Sequence, residues 1–177
     1  MNTLRHRLDQ TIRDVPDFPK AGILFKDITP VLEDPVLCKQ IVNAFCASFE
    51  AMKVDAIAGI ESRGFLFGLP IAIEMGIPFI TIRKKGKLPA ETVSYEYDLE
   101  YGSAAIEMHK GVLDPNWNVM VHDDLLATGG TAAAAAELIK SQNAQLAGFS
   151  FLIELSFLEG MKKLENYSKD VVRLISF

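Results

Sequence analysis

Leu4, Leu8, Ile12 and Val15 recur every three or four positions until Pro16, a spacing that predicts a short amphipathic helix over 3–14. Asp34 followed by Pro35 is a helix cap with proline at the first helical position. Beyond it Val36, Leu37, Ile41, Val42, Phe45 and Phe49 form one apolar face, predicting a helix to about Met52. Val54 to Ile60 is nearly continuous apolar sequence with no helical gap, the pattern of a strand buried on both faces. A glycine-containing loop at Glu61–Gly64, a helix to about Met75, a break at Gly76 and a second apolar strand at Pro78–Ile82 complete a βαβ unit. Further strands are predicted at Asn118–His122, Leu146–Ile153 and Val171–Phe177, with a helix over Thr131–Ser141 whose Ala132–Ala136 run suits close packing on a sheet. The repeated alternation predicts an α/β fold, a mostly parallel sheet flanked by helices. Residues 83–103 show no clear period and carry Gly86 and Pro89; a connection this long is a candidate lid or binding loop.

Composition narrows the picture. With 177 residues, 49% hydrophobic and 23% charged, the chain suits a single packed domain over 1–177. A formal net charge of −5 has the wrong sign for a general nucleic-acid or anionic-membrane binder, so neither is an expected partner. Yet Arg83, Lys84, Lys85 and Lys87 fall within five residues, either as a solvated charge run or as a site for a small anion. No apolar run approaches the roughly 20 residues of a membrane span, and Met1–Asp14 alternates charge where a secretion signal would be apolar; a cytoplasmic location is expected. Cys38 and Cys46 sit in one predicted helix, about 12 Å apart along it, beyond the Cα limit of about 7 Å for a disulfide. His6, His109 and His122 are scattered singly and suggest no metal cluster.

The segment richest in chemistry is Val119-Met120-Val121-His122-Asp123-Asp124-Leu125-Leu126-Ala127-Thr128-Gly129-Gly130-Thr131. A buried strand ends in two carboxylates, and a small-residue loop then opens a helix, so free backbone N–H groups converge where the helix begins. Such a cradle suits a phosphate, with the Thr128 and Thr131 hydroxyls as added donors and the carboxylates accepting from a sugar diol; an acidic strand end before an ordinary glycine turn is the plainer alternative. The loop is neither a Walker A sequence nor a G-x-G-x-x-G turn. Taken alone, Leu24 and Phe25 read as core, Arg63 as an ion-pair partner of Glu61, and His122 as a strand residue beside the site.

These thirteen positions resemble the phosphoribosyl pyrophosphate (PRPP) signature of type I phosphoribosyltransferases, and within them of the members that act on adenine. The resemblance implies that Asp123 and Asp124 contact the ribose hydroxyls and that Ala127, Thr128, Gly129, Gly130 and Thr131 hold the 5′-phosphate; His122 departs from the usual aliphatic residue. Phe18-Pro19-Lys20-Ala21-Gly22-Ile23-Leu24-Phe25-Lys26-Asp27-Ile28-Thr29 is similar to the adenine-binding stretch. There Leu24 would line the base pocket, Phe25 pack at it and the Lys26 backbone read the purine edge, while Ala21 replaces a proline often found at that turn. Glu61-Ser62-Arg63-Gly64-Phe65-Leu66-Phe67-Gly68 looks like the pyrophosphate loop, which implies a cis peptide at Glu61–Ser62 and phosphate binding by Ser62 and by the planar Arg63 fork. Arg83 through Gly102 resembles the mobile hood loop, with Arg83, Lys84 and Lys87 on pyrophosphate, Glu100 as general acid or base near the purine, and Tyr101 closing the site. The likeness spans about 16–159, and the residues after Gly160 add little to it.

The reaction so implied is adenine plus PRPP giving AMP and pyrophosphate, with Mg²⁺ held mainly by substrate oxygens and water and no direct protein ligand, in a homodimer. Members acting on 6-oxopurines carry an aspartate where this chain has Ala127, which favours adenine over hypoxanthine, guanine, xanthine or orotate. Two other readings compete: a regulator sensing PRPP or purines, and a plain nucleotide-binding module. The first lacks a basic recognition helix in this sequence, and the second has no need of a hood with Glu100.

Overall fold

The computed structural model describes residues 2–98 and 102–177. Helix α1 (Asn2–Thr11) is shorter than its apolar spacing predicts, because Arg13–Pro16 runs extended as β1 and pairs antiparallel with β2 (Leu24–Asp27). Pro16 biases Val15 away from the helical region. Arg13 ion-pairs with Asp27 directly across the ladder, which fixes the register Arg13↔Asp27 and Val15↔Phe25. A single turn, α2 (Thr29–Leu32), leads into α3 (Pro35–Phe49). Its cap is the one the sequence predicts, since the Asp34 carboxylate accepts from the N–H groups of Val36 at 3.0 Å and Leu37 at 2.9 Å.

Strand β3 (Ala56–Ile60) is buried along its whole length and is followed by α4 (Gly64–Met75) and β4 (Phe79–Lys84). Next come β5 (Thr92–Asp98), β6 (Ser103–His109), β7 (Asn118–Leu126), α5 (Gly130–Ser141), β8 (Gln145–Glu154), a short 3₁₀ turn, α6 (Gly160–Leu164) and β9 (Val171–Ser176). The main sheet has the order β5-β6-β4-β3-β7-β8-β9, five parallel strands with an antiparallel hairpin on one edge.

That hairpin corrects the expectation of an irregular loop over 83–103. Strand β5 pairs with β6 from Thr92↔His109 to Asp98↔Ser103. From Thr92 to Tyr97 no side chain is fully buried, so polar residues occupy both faces and the period of two is hidden.

Core side chains fill both faces of the sheet. Ala56, Ala58, Val119, Val121, Phe149 and Phe151 meet the buried Ala132–Ala136 run of α5. On the other face Ile57, Met120 and Leu152 meet Leu8, Phe45, Phe49, Phe67 and Ile71 of α1, α3 and α4. Each large apolar side chain buried this way contributes roughly 1.5–3 kcal/mol. Parallel pairing of β3 with β7 brings the C-terminal ends of these strands to one edge, where open parallel sheets hold their ligands.

Candidate active site

Strand β7 does not stop at His122, as its apolar run predicts, but pairs with β8 as far as Leu126↔Glu154, so Asp123 and Asp124 are strand residues. Asp124 is 3% exposed, and its N–H donates to Asp123 Oδ1 at 2.8 Å. Burial and the neighbouring acid push the Asp123 carboxyl well above the usual carboxylate range. Burial raises Asp124 as well, against the pull of the Arg63 guanidinium. Arg63 Nε lies 3.0 Å from Asp124 Oδ2, yet that buried oxygen receives no hydrogen bond among the described residues. Arg63 therefore supplies charge without a well-aimed donor, and Asp124 keeps an acceptor to offer a ligand.

From Leu126 the chain turns through Ala127 and Thr128 to Gly129, whose φ of +76° is a left-handed conformation open to glycine at little cost. The first helical bond of α5 runs from Ala133 N–H to Gly129 at 2.9 Å, so the N–H groups of Gly130, Thr131 and Ala132 precede it without an intrahelical acceptor. Loop and helix start enclose a pocket of about 80 Å³ lined by Asp123, Thr128, Gly129, Gly130, Thr131 and Phe151. That is the room of a few water molecules, enough for a phosphate group but not for a base.

Gly160, at the start of α6, lies against this loop. A Cβ added there would run into the Ala127 carbonyl oxygen and come within 2.9 Å of Leu126 Cδ1 and 3.1 Å of Gly129 N. Sequence reasoning gave weight only up to Glu159 and missed this support; a glycine opening a helix was the available signal, and its partner exists only in the fold.

The loop after β3 has the expected cis peptide at Glu61–Ser62. Arg63 precedes α4, and Gly64 presses that helix against the acidic strand end, since a Cβ on it would stand 2.8 Å from the His122 carbonyl and 3.0 Å from Asp123 Oδ1. Arg63 pairs with Asp124 and not with Glu61, the partner that spacing alone suggests. Glu61 instead binds the Arg83 guanidinium and accepts from Lys84 N–H at 2.8 Å. Burial alone would raise the Glu61 carboxyl, but these donors outweigh it and hold it below the usual range.

The cations of the basic cluster divide in two. Arg83 is tied to Glu61 and donates to the Lys87 carbonyl at 2.9 Å, and Lys85 pairs with Glu96 at 3.3 Å. Lys84 and Lys87 have no ion-pair partner among the described residues. Buried Glu107, on β6, anchors the base of this loop by accepting from Lys87 N–H and Leu88 N–H at 3.0 Å each and from the Thr92 hydroxyl at 3.2 Å.

On the far side of Arg63 lies the β1–β2 ribbon. Phe25 meets Phe18 edge-on at 5.1 Å, and the Arg63 guanidinium sits 5.2 Å from the Phe25 ring centre. Leu24 is 48% exposed, so neither it nor half-buried Phe25 is core. The Lys26 ammonium lies 2.6 Å from Asp14 and over the Phe177 ring. Where Ala21 departs from proline, the turn is tied by the Asp17 carboxylate, which accepts from Gly22 N–H at 2.7 Å.

His122 lies apart from this chemistry. It is fully buried, packs edge-on to Phe45 at 5.1 Å, and shares a hydrogen bond of 2.9 Å between Nδ1 and the Ser150 hydroxyl. Burial pushes its pKa down to about 3, so it is neutral. Glu100 and Tyr101 lie outside the described residues. Tyr97, which the sequence did not single out, brings the β5–β6 hairpin onto the cradle through a 3.1 Å hydrogen bond between its hydroxyl and that of Thr131.

A larger groove of about 730 Å³ runs between α1, α3 and β9. Of its three arginines, Arg7 is held by Asp34 and Gln40 and Arg173 by Glu154, while Arg5 has no ion-pair partner among the described residues. The smaller pocket holds the converging donors and acids.

The phosphate-sized cradle thus lies beside paired buried acids, with Arg63 reaching from Asp124 to the Phe25 ring. Residues 37–176 match the model of the phosphoribosyl transferase domain, and the chain belongs to this family of transferases, with its type I fold. Within the family it is similar to adenine phosphoribosyltransferases. It is 53% identical to that of Cytophaga hutchinsonii over 174 residues, covering 98% of this chain and 96% of the relative. The crystal structure of the Thermoanaerobacter pseudethanolicus enzyme superposes with a TM-score of 0.93 at 48% identity, covering 97% of this chain and 99% of that one. The Saccharomyces cerevisiae enzyme, solved with adenine and an imino-altritol bisphosphate, gives 0.91 at 39% identity over 98% of this chain and 99% of that one.

Proposed function

We propose that this chain converts adenine and PRPP to AMP and pyrophosphate, recovering a free purine base as its nucleotide. The observation that carries the reading is Arg63, which lies between the acid pair and the β1–β2 ribbon, 3.0 Å from Asp124 Oδ2 and 5.2 Å from the Phe25 ring centre. That adjacency supports a reading in which phosphate, sugar and base lie in the order that a phosphoribosyl donor and a purine require.

The cradle Ala127–Thr131 holds the 5′-phosphate on unpaired N–H groups and the helix end. Asp123 and Asp124 accept from the ribose hydroxyls. The base lies against Phe25 and Leu24, with the Lys26 backbone at its edge. As the C1′–O bond breaks, pyrophosphate leaves with the electron pair and positive charge grows on the ribose. Ser62, Arg63, Arg83, Lys84 and Lys87 stabilise the departing anion. Adenine N9 forms the new bond to C1′, and its proton passes to Glu100. Tethering at both ends of the sugar makes the encounter effectively unimolecular, and Tyr101 together with the β5–β6 hairpin keeps water from the oxocarbenium-like carbon.

Mg²⁺ suits the donor set here. It would be held mainly by PRPP oxygens and water, and Asp124 Oδ2, buried without a hydrogen-bond donor among the described residues, would be able to accept from that water. When bound it would neutralise charge on the leaving pyrophosphate.

The reading includes a cytoplasmic enzyme and a homodimer. Leu66, Leu69 and Ile73 are exposed on α4, directly behind the Arg63 loop, and give a second copy an apolar face to cover.

The test is pyrophosphate release with adenine, hypoxanthine, guanine and orotate, each with PRPP. Release with adenine and none with the others supports the reading; release with a 6-oxopurine and not with adenine overturns the base assignment. Glu100→Leu should lower kcat by about 10²- to 10⁴-fold, the range for a general acid or base, and change KM for PRPP far less; equal turnover would remove Glu100 from its role.

A further inference from the structure

The sequence carried no signal for the outer side of the phosphate cradle, and α6 fell beyond the part of the chain that was informative. In the fold, three separate segments converge there. A Cβ placed on Gly130 would lie 3.8 Å from Lys163 Nζ, 3.9 Å from Thr128 Oγ1 and 3.9 Å from a Tyr97 ring carbon. The hairpin, the loop and α6 thus surround one spot over the first turn of α5, and α6 contributes a cation.

Lys163 differs from its neighbour in a way that matters. Lys162 pairs with Glu159, whereas the Lys163 ammonium has no ion-pair or hydrogen-bond partner among the described residues. It is exposed, and its flexible four-carbon stem leaves the charge free to move the short distance toward a ligand.

The electrostatics of the cradle call for such a group. Its own donors, backbone N–H groups and the hydroxyls of Thr128 and Thr131, are all neutral. Its wall also carries the Asp123 carboxyl, which brings no positive charge. A phosphate monoester brings about −1.5 to −2 charges near neutral pH, which neutral donors and a helix end offset only in part.

We propose that Lys163 is the cationic ligand of the 5′-phosphate of PRPP and AMP, closing the cradle on the side opposite the acid pair. The assignment rests on the phosphoribosyl-transfer reading and adds to it a residue from outside the signature. Charge-assisted hydrogen bonds are about twice as strong as neutral ones, so Lys163 supplies much of the grip on a group that must stay fixed while C1′ moves.

The test is calorimetric binding of AMP, ribose 5-phosphate and pyrophosphate to wild-type protein, Lys163→Met, Lys163→Arg and, as a control, Lys162→Met. Methionine keeps the length and apolar stem, so thermal unfolding should be unchanged. In Lys163→Met the affinity for AMP and ribose 5-phosphate should fall about 10- to 100-fold, the range for a hydrogen bond to a charged group. Pyrophosphate affinity and KM for adenine should hold within about twofold, Lys163→Arg should recover most of the loss, and Lys162→Met should match wild type. AMP affinity unchanged in Lys163→Met overturns the assignment, and so does an equal loss for AMP and pyrophosphate, which would mean a general effect of charge. Wild-type protein that binds neither AMP nor ribose 5-phosphate overturns both the assignment and the reading beneath it, whereas wild-type binding with an unaltered Lys163→Met overturns the assignment alone.

Discussion

Gly160→Ala places a single methyl group under the phosphate loop from a position outside the family signature. Gly160 does not have positive φ, so its own backbone accepts alanine, and only the close approach is perturbed. The added carbon would run into the Ala127 carbonyl oxygen and stand 2.9 Å from Leu126 Cδ1 and 3.1 Å from Gly129 N. Relieving the first contact to an ordinary separation takes about 1 Å of movement, and the atoms that must move belong to the loop that would hold the 5′-phosphate. Overpacking of this kind costs about 1–3 kcal/mol, and a chain this size loses about 2–4 °C of Tm for each kcal/mol, so the variant should fold with Tm lowered by about 2–12 °C. A displacement of about 1 Å in a group that positions substrate costs on the order of 10² in rate. Steady-state pyrophosphate release, with PRPP varied at saturating adenine and then the reverse, should show kcat/KM for PRPP down about 100-fold and KM for adenine nearly unchanged. Gly111→Ala is the control, since Gly111 has φ +72° with nothing within 4 Å of an added Cβ, far from the cradle; it should lose stability and keep its kinetics. Normal kcat/KM for PRPP in Gly160→Ala, with a lowered Tm, would mean that α6 yields and the loop does not, and would refute the claim that Gly160 sets the position of the cradle.

Asp123→Asn should raise stability while it lowers activity. The unfolded chain gives up this proton near the ordinary carboxylate value and the folded chain holds it well above, so the folded state is increasingly penalised as pH rises. Unfolding scans without ligand should show the variant gaining Tm over wild type by an amount that grows from acid to neutral pH, and a pH-independent difference would contradict the burial argument. Weakening the ribose hydrogen bond to this buried acid should cost about 2- to 12-fold in kcat/KM. Tyr97→Phe removes the 3.1 Å link to Thr131, a bond worth about 0.5–1.5 kcal/mol. Amide exchange in β5 and β6 should quicken by about 2- to 12-fold, and unchanged exchange would mean that the hydroxyl does not hold the hairpin down.

The central elements were legible because local and tertiary preferences agree there. Asp34–Pro35 both caps and starts α3, and β3 reads as a buried strand because it is buried on both faces. Val15 was misread because its helical spacing is real, but Pro16 and the Arg13–Asp27 pair favour the ribbon with β2. The hairpin was hidden by polar residues on both of its faces, and its anchor, Glu107, is a buried carboxylate whose donors come from residues about 15 to 20 positions earlier. Within the site, Asp123, Asp124 and the Ala127–Thr131 loop are contiguous and could be read together. Arg63 was recognisable as a phosphate ligand by resemblance, but its pairing with Asp124 crosses about 60 positions and no spacing rule reaches that far. Tyr97, Gly160 and Lys163 escaped for the same reason, since each meets the cradle through folding alone.

The account is tested most directly by following both products at once when purified protein, adenine, PRPP and Mg²⁺ are mixed. AMP and pyrophosphate should appear in equal amounts, with neither formed when adenine or PRPP is left out. Pyrophosphate released without AMP, or no turnover of adenine at high protein concentration, would contradict it.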